Sequence, residues 1–106
     1  MTLREKLDLK IKKESRKALY KEIEEIFLQA SLEELLNGMT IEIFSNDSNE
    51  LFYKKSSEEK VIKTFRREYK LKTFEEVVQN LKKEGLEVEY YNSNGTMRAK
   101  IRYEQS

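Results

Sequence analysis

The sequence predicts an α+β fold, in which two antiparallel β-hairpins, about residues 40–54 and 86–103, form a sheet covered on one face by three or four helices. Three observations carry this expectation. Four stretches repeat apolar residues at three- and four-residue spacing, and two others alternate apolar with polar residues. The places where one period gives way to the other hold helix-capping and turn residues. With 106 residues, 39% charged and 38% hydrophobic, the chain is read as one domain with a small core and a densely charged surface.

Thr2-Leu3-Arg4-Glu5 is a capping box, in which the threonine side chain and the glutamate three residues on satisfy the free amides of a helix start. Leu3, Leu7, Ile11, Leu19, Ile23 and Phe27 follow at multiples of four, so a long helix is expected from about Leu3 to Gln29. Ser15 interrupts the apolar row between Lys12 and Lys17. Residues 1–17 are therefore expected to form a basic helical extension that projects from the domain, or pairs with another copy to make a homodimer.

Ser31-Leu32-Glu33-Glu34 is a further capping box, opening a short helix that Asn37-Gly38 ends. A strand over Thr40–Phe44, a loop over Ser45–Asn49 and a strand over Glu50–Lys54 come next. That loop would set Ile43 opposite Leu51 and Ile41 opposite Tyr53, with Phe44 and Phe52 on the other face. Ser56 and Ser57 before Glu58-Glu59 suggest a third helix, to about Lys70. Its apolar side would carry Val61, Ile62, Phe65 and Tyr69, and its opposite side a basic stripe of Lys60, Lys63, Arg66, Arg67 and Lys70.

Thr73-Phe74-Glu75-Glu76 is another capping box, Phe74, Val77, Val78 and Leu81 make one apolar face, and Gly85 ends the helix. Beyond it Leu86, Val88 and Tyr90 alternate with Glu87, Glu89 and Tyr91, and Met97, Ala99, Ile101 and Tyr103 alternate with Arg98, Lys100 and Arg102. Asn94-Gly95 suits a two-residue turn whose central residues both need positive φ. It sets Leu86 opposite Tyr103, Val88 opposite Ile101 and Tyr90 opposite Ala99. On the other face Glu87 meets Arg102, Glu89 meets Lys100, and Tyr91 stands beside Arg98.

The composition excludes much chemistry. There is no cysteine, histidine or tryptophan, so disulfides, thiol and imidazole catalysis and the usual zinc sites have no ligands or nucleophiles. Three glycines and no proline leave no phosphate-cradling loop, and neither G-x-G-x-x-G nor the Walker pattern occurs. Ser45 to Glu50 lacks the glycine and distal glutamate of a calcium loop. No enzyme activity, cofactor or metal is expected. The chain has no eighteen-residue apolar run and no basic-then-apolar leader, so no membrane partner is expected and the expected setting is cytoplasmic.

Charge placement is the main functional clue. Residues 1–21 hold eight Lys/Arg against three Asp/Glu, and residues 22–50 hold none against eight. Residues 51–72 hold eight against three, and residues 73–106 five against six, for a net charge of +1. Segregation of this kind steers charged partners or favours head-to-tail self-association. In size, Lys/Glu/Asn-rich composition and lack of catalytic residue types, the chain resembles the small accessory proteins of phages and other mobile elements, which implies binding to a larger protein. The expected function is a non-enzymatic regulator or inhibitor acting by protein–protein contact, through Lys63, Arg66, Arg67, Lys70, Phe44, Phe52, Tyr91 and Arg98. The alternative is nucleic-acid binding by the basic face 60–70, with Lys12, Lys13, Arg16 and Lys17 as a secondary patch.

Overall fold

A computed structural model describes residues 1–93 and 96–105. The fold is α+β: a five-stranded antiparallel sheet with one long helix and two more. Helix α1 spans Leu3–Leu28, and the Thr2 hydroxyl accepts from the Glu5 amide at 3.2 Å. Glu5 answers by accepting the Thr2 hydroxyl proton at 3.1 Å, so the box closes through side chains. Helix α2, Leu32–Leu36, starts at Ser31, whose Oγ accepts from the Glu34 amide at 3.2 Å. It ends at Asn37 and Gly38, where φ is +84°; a Cβ there would lie 2.7 Å from Nη2 of Arg102. The backbone conformation favours glycine, and any side chain there would also have to displace the end of Arg102.

Strand β1, Met39–Ser45, is central, paired with β2, Leu51–Lys55, on one side and with β5, Thr96–Tyr103, on the other. Strand β3 is only Lys63–Thr64, and β4 is Glu87–Ser93, giving the order β3-β2-β1-β5-β4. The second hairpin has the expected register, with Val88 opposite Ile101, Tyr90 opposite Ala99 and Ser93 opposite Thr96. The Asn94-Gly95 turn itself lies outside the described residues. Leu86 stays outside the ladder, which starts at Glu87 opposite Arg102, because its amide is spent on the helix end.

The first hairpin departs from expectation by two residues. Ile43 stands opposite Tyr53 and Ser45 opposite Leu51, because the loop is Asn46–Glu50. Asn46 organises it: its Oδ1 accepts from the amides of Ser48 and Glu50 at 2.9 and 3.0 Å, and its own amide donates to the Glu50 carbonyl. Asn49 supplies the positive φ of 63°. A shift of two keeps every side chain on its expected face, because the strand period is two.

The expected helix over Ser57–Lys70 does not form. Ser56–Glu58 make one 3₁₀ turn, β3 follows, and residues 65–70 run as irregular chain. Glu22 of α1 holds that chain, accepting the Arg66 amide at 2.7 Å on one oxygen and the Tyr69 hydroxyl on the other. Phe65 packs on the Tyr53 ring at 4.9 Å, and Tyr69 meets Phe65 edge-on at 6.1 Å. Val61 and Ile62, which the helix would have buried, are exposed. Ser56, Ser57, Val61, Ile62 and Thr64 are weak helix formers, so local propensity offers little against these tertiary contacts.

Helix α3 spans Leu71–Lys83 and begins before Thr73, which is buried in its first turn and caps nothing. Starting there packs Leu71 against the core and adds a position to the ladder of Phe74, Val77, Val78 and Leu81. At the other end the Leu86 amide donates to Leu81 and the Gly85 amide to Lys82, with Gly85 at φ +100°, the paired bonds of a Schellman ending.

One apolar cluster unites Leu19 and Ile23 of α1, the apolar face of α3, and Met39, Ile41, Ile43, Met97, Ala99 and Ile101 of the sheet. The helices thus cover one sheet face and leave the other open. The first turns of α1 touch none of this: residues 1–14 are all exposed, and the molecule measures 50 × 29 × 22 Å. Among the described residues no helix is long and apolar enough to cross a membrane.

Phe74→Ala, at a site with no solvent exposure, is expected to lower unfolding free energy by about 3–5 kcal/mol in chemical denaturation, and Leu7→Ala by less than about 0.5 kcal/mol. Alkali supplies a second test. Burial, with a hydrogen bond to Glu75, pushes the Tyr90 hydroxyl up to about 12, and burial, with the bond to Glu22, pushes Tyr69 above the ordinary tyrosine range. The folded state keeps these protons after the unfolded chain, titrating near about 10, has lost them. Stability is therefore fully present below pH about 10 and falls as pH rises through about 12. Denaturation midpoints across that window, compared with Tyr90→Phe and Tyr69→Phe, should show a shallower fall in each variant.

Candidate functional site

The registers of the four ladders align open-face side chains into rows that cross the sheet. One row reads Tyr91–Arg98–Phe44–Phe52–Thr64, from β4 through β5, β1 and β2 to β3. The next reads Glu89–Lys100–Glu42–Lys54, alternating in charge from strand to strand. A third is Glu87–Arg102–Thr40. Neighbouring strands are about 4.8 Å apart, so the first row spans roughly 19 Å.

The aromatic row is partly open to solvent. Phe44 and Phe52 are half-buried and stack on each other with centroids 5.8 Å apart and planes at 26°. Tyr91, at the far end, is 53% exposed and donates its hydroxyl to Glu89 at 3.0 Å. That hydrogen bond and the neighbouring Glu89 charge hold the Tyr91 hydroxyl above its usual range.

Glu42 anchors the charged row. It is only 7% exposed although it lies on the face without helices, because long side chains of β2 and β5 close over it. Arg98 Nε donates to its Oε1 at 2.8 Å, and Lys54 Nζ lies 3.8 Å from Oε2. Arg98 bridges the two rows, with its side chain still 57% exposed. The cross-strand ion pairs expected in the second hairpin do not close. Glu87 and Glu89 stand opposite Arg102 and Lys100, yet Arg102 donates to Thr40 Oγ1 at 3.1 Å and pairs with Glu104 at 3.4 Å. The fork of Arg102 reaches the adjacent strand more readily than its exposed partner, and Glu89 is taken by Tyr91.

Of the residues expected to bind a partner, Phe44, Phe52, Tyr91 and Arg98 share this row. The residues of the basic stripe are all exposed, but they do not share a helical face. Lys63 is on the edge strand, Arg66 turns to Glu25 at 3.5 Å, and Arg67 and Lys70 line a separate cavity of 590 Å³ together with Glu50 and Glu68. With no helix over 57–70, the stated spacing has no face to occupy. Lys12, Lys13 and Lys17 are exposed on α1, while Arg16 reaches Glu76 of α3 at 3.3 Å.

Sequence reasoning missed Glu42 and Lys54 as members of this surface, and it placed Lys100 on this face only as the partner of Glu89. A carboxylate inside an otherwise apolar strand was a visible signal. Its neighbours depend on which strands of the two hairpins meet, and that information is not local.

Arg98→Ala is expected to destabilise the fold by about 1–3 kcal/mol, because the nearly buried Glu42 carboxylate loses its shortest donor. In a Glu42→Gln background the same change should cost below about 1 kcal/mol, since no buried charge is then stranded. Urea denaturation of the four proteins measures the coupling.

Comparison with family models, curated proteins and solved structures finds no match to this chain.

Proposed function

We propose that this is a non-enzymatic binding protein, a small regulator or inhibitor acting by protein–protein contact through the open face of its sheet. The observation that carries the reading is the single row in which Tyr91, Arg98, Phe44 and Phe52 meet. Aromatic residues and arginine on rigid strands are the side chains that dominate interface energetics, because they bury much area at little entropic cost. Around the row opposite charges alternate. Glu42 pairs with both Arg98 and Lys54, and Glu89 stands opposite Lys100. An apolar strip bordered by alternating charge suits a protein surface with its own mixed charges, which such a lattice would also set in register.

Single-stranded nucleic acid is the second reading, favoured by one observation. Exposed Tyr91 adjoins Arg98 and is one row away from Lys100, an arrangement on which a base can stack while a phosphate is met. The carboxylates interleaved among these cations weigh against it, since affinity for a polyanion rests on several cations free to replace counterions.

Site-specific photo-crosslinking tests the two together. A photoreactive residue at Tyr91 or Lys100 is expected to yield a discrete protein adduct in cells, and one at Gln79, on the exposed side of α3, none. Phe52→Ala should weaken binding to the trapped protein by at least about 2 kcal/mol. Nuclease-sensitive adducts would transfer the face to the second reading. Equal adducts at Gln79, or none anywhere, would overturn both.

A further inference from the structure

The first half of α1 and a cleft at the other end of the same helix are two unpartnered surfaces of matching character. In the exposed arm, Leu3, Leu7 and Ile11 are 71, 49 and 62% exposed and form a stripe at four-residue spacing. Lys6, Lys10, Lys13 and Lys17 run along one side of that stripe at spacings of three and four. None of these four lysines is ion-paired among the described residues. A basic amphipathic helix without apolar cover leaves water against leucine and isoleucine.

The cleft lies where α1, α2 and the end of α3 meet. It encloses 320 Å³, and its walls are Tyr20, Phe27, Leu35, Leu86 and Tyr103, with exposed Leu28 beside them. This volume is at the lower end of those that take a ligand or a few anchoring side chains. Its only carboxylates are Glu24 and Glu84, and neither is ion-paired among the described residues. Glu84 accepts the Tyr20 hydroxyl at 2.8 Å, which ties α1 to the end of α3 and holds the cleft walls together. The cleft is thus apolar inside and acidic at its border. The arm is apolar along one stripe and basic beside it.

The arm cannot fill the cleft of its own molecule. Both belong to one continuous helix, in which Leu7 and Ile23 are separated by roughly 24 Å along the axis and roughly 160° around it. We propose that the arm of a second copy fills it, with Leu3, Leu7 and Ile11 entering between Phe27 and Leu86 and the flanking lysines meeting Glu24 and Glu84. Arm and cleft are different surfaces, so the contact is heterologous. Two copies that exchange arms close as a dimer, and copies that pass them on form a chain. The association is charge-steered and weakens with salt.

The test uses the full chain in sedimentation velocity over a range of concentrations, at low and high salt. The wild type is expected to self-associate at low salt, and less so at high salt. Leu7→Glu with Ile11→Glu spoils the arm, and Glu24→Lys with Leu28→Lys spoils the cleft. All four positions are exposed, so helix content by circular dichroism should be unchanged. Each double variant alone is expected to be monomeric, while an equimolar mixture forms a 1:1 complex, since one supplies an intact cleft and the other an intact arm. A wild type that stays monomeric at several hundred micromolar would overturn the proposal. So would self-association that survives the cleft changes but not the arm changes, which would mean that arms pair with arms. Binding of the arm to anionic lipid vesicles without any self-association would assign it to a membrane surface instead.

Discussion

Five strands need apolar cover on one face, and the helices of this chain are barely enough to provide it. Helix α3 and the second half of α1 cover β1, β5 and β4, and their side chains meet in the single core cluster. Over β2 and β3 the helices reach only with the end of α1, at Ile26 and Gln29. Phe65 and Tyr69 do that work from an irregular segment, packed on Tyr53 and pinned to α1 through the two oxygens of Glu22. The constraint explains why residues 57–70 do not form one helix: a helix there would have presented Val61 and Ile62 to the core but drawn Lys63 and Thr64 away from the sheet edge.

Tyrosine hydroxyls recur at the seams of this cover. Tyr20 donates to Glu84, Tyr69 to Glu22 and Tyr90 to Glu75. In each pair a ring adds apolar area inside while its hydroxyl meets a carboxylate at the border. A chain with 10% aromatic residues and no tryptophan thereby joins a modest core to a highly charged surface, and no buried side-chain polar atom among the described residues is left without a partner.

Because cover is limited to one face, the other face is where sequence features acquire joint meaning. Tyr91 beside Arg98 followed from counting back from the Asn94-Gly95 turn, and a common face for Phe44 and Phe52 followed from the parity of the first hairpin. The first pair was legible as such; the second became a pair only because the loop closed by Asn46 moved the first hairpin by two residues. That β1 pairs with β5, so that the two pairs become one row with Glu42 behind it, had no local signal. Strand order is decided by which apolar faces bury together, and residues far apart in sequence settle it. The basic stripe failed for the same reason. Charge at three- and four-residue spacing means a helical face only if the segment is a helix, and here the competing tertiary contacts were stronger than the local preference.

The chain alone determined its α+β class, four of its helix starts or ends and both strand parities, because capping residues, positive-φ positions and alternation act within a few residues of themselves. Thr2, Ser31, Gly38 and Gly85 behave as their sequence context dictates. Only the tertiary structure decided that α3 begins at Leu71 rather than Thr73, that residues 65–70 are clamped chain, and that an apolar, acid-bordered cleft faces away from a basic arm on the same helix. Those outcomes rest on buried area and on hydrogen bonds between distant residues, and their free energies exceed the roughly 1 kcal/mol at stake in a cap or a helix propensity.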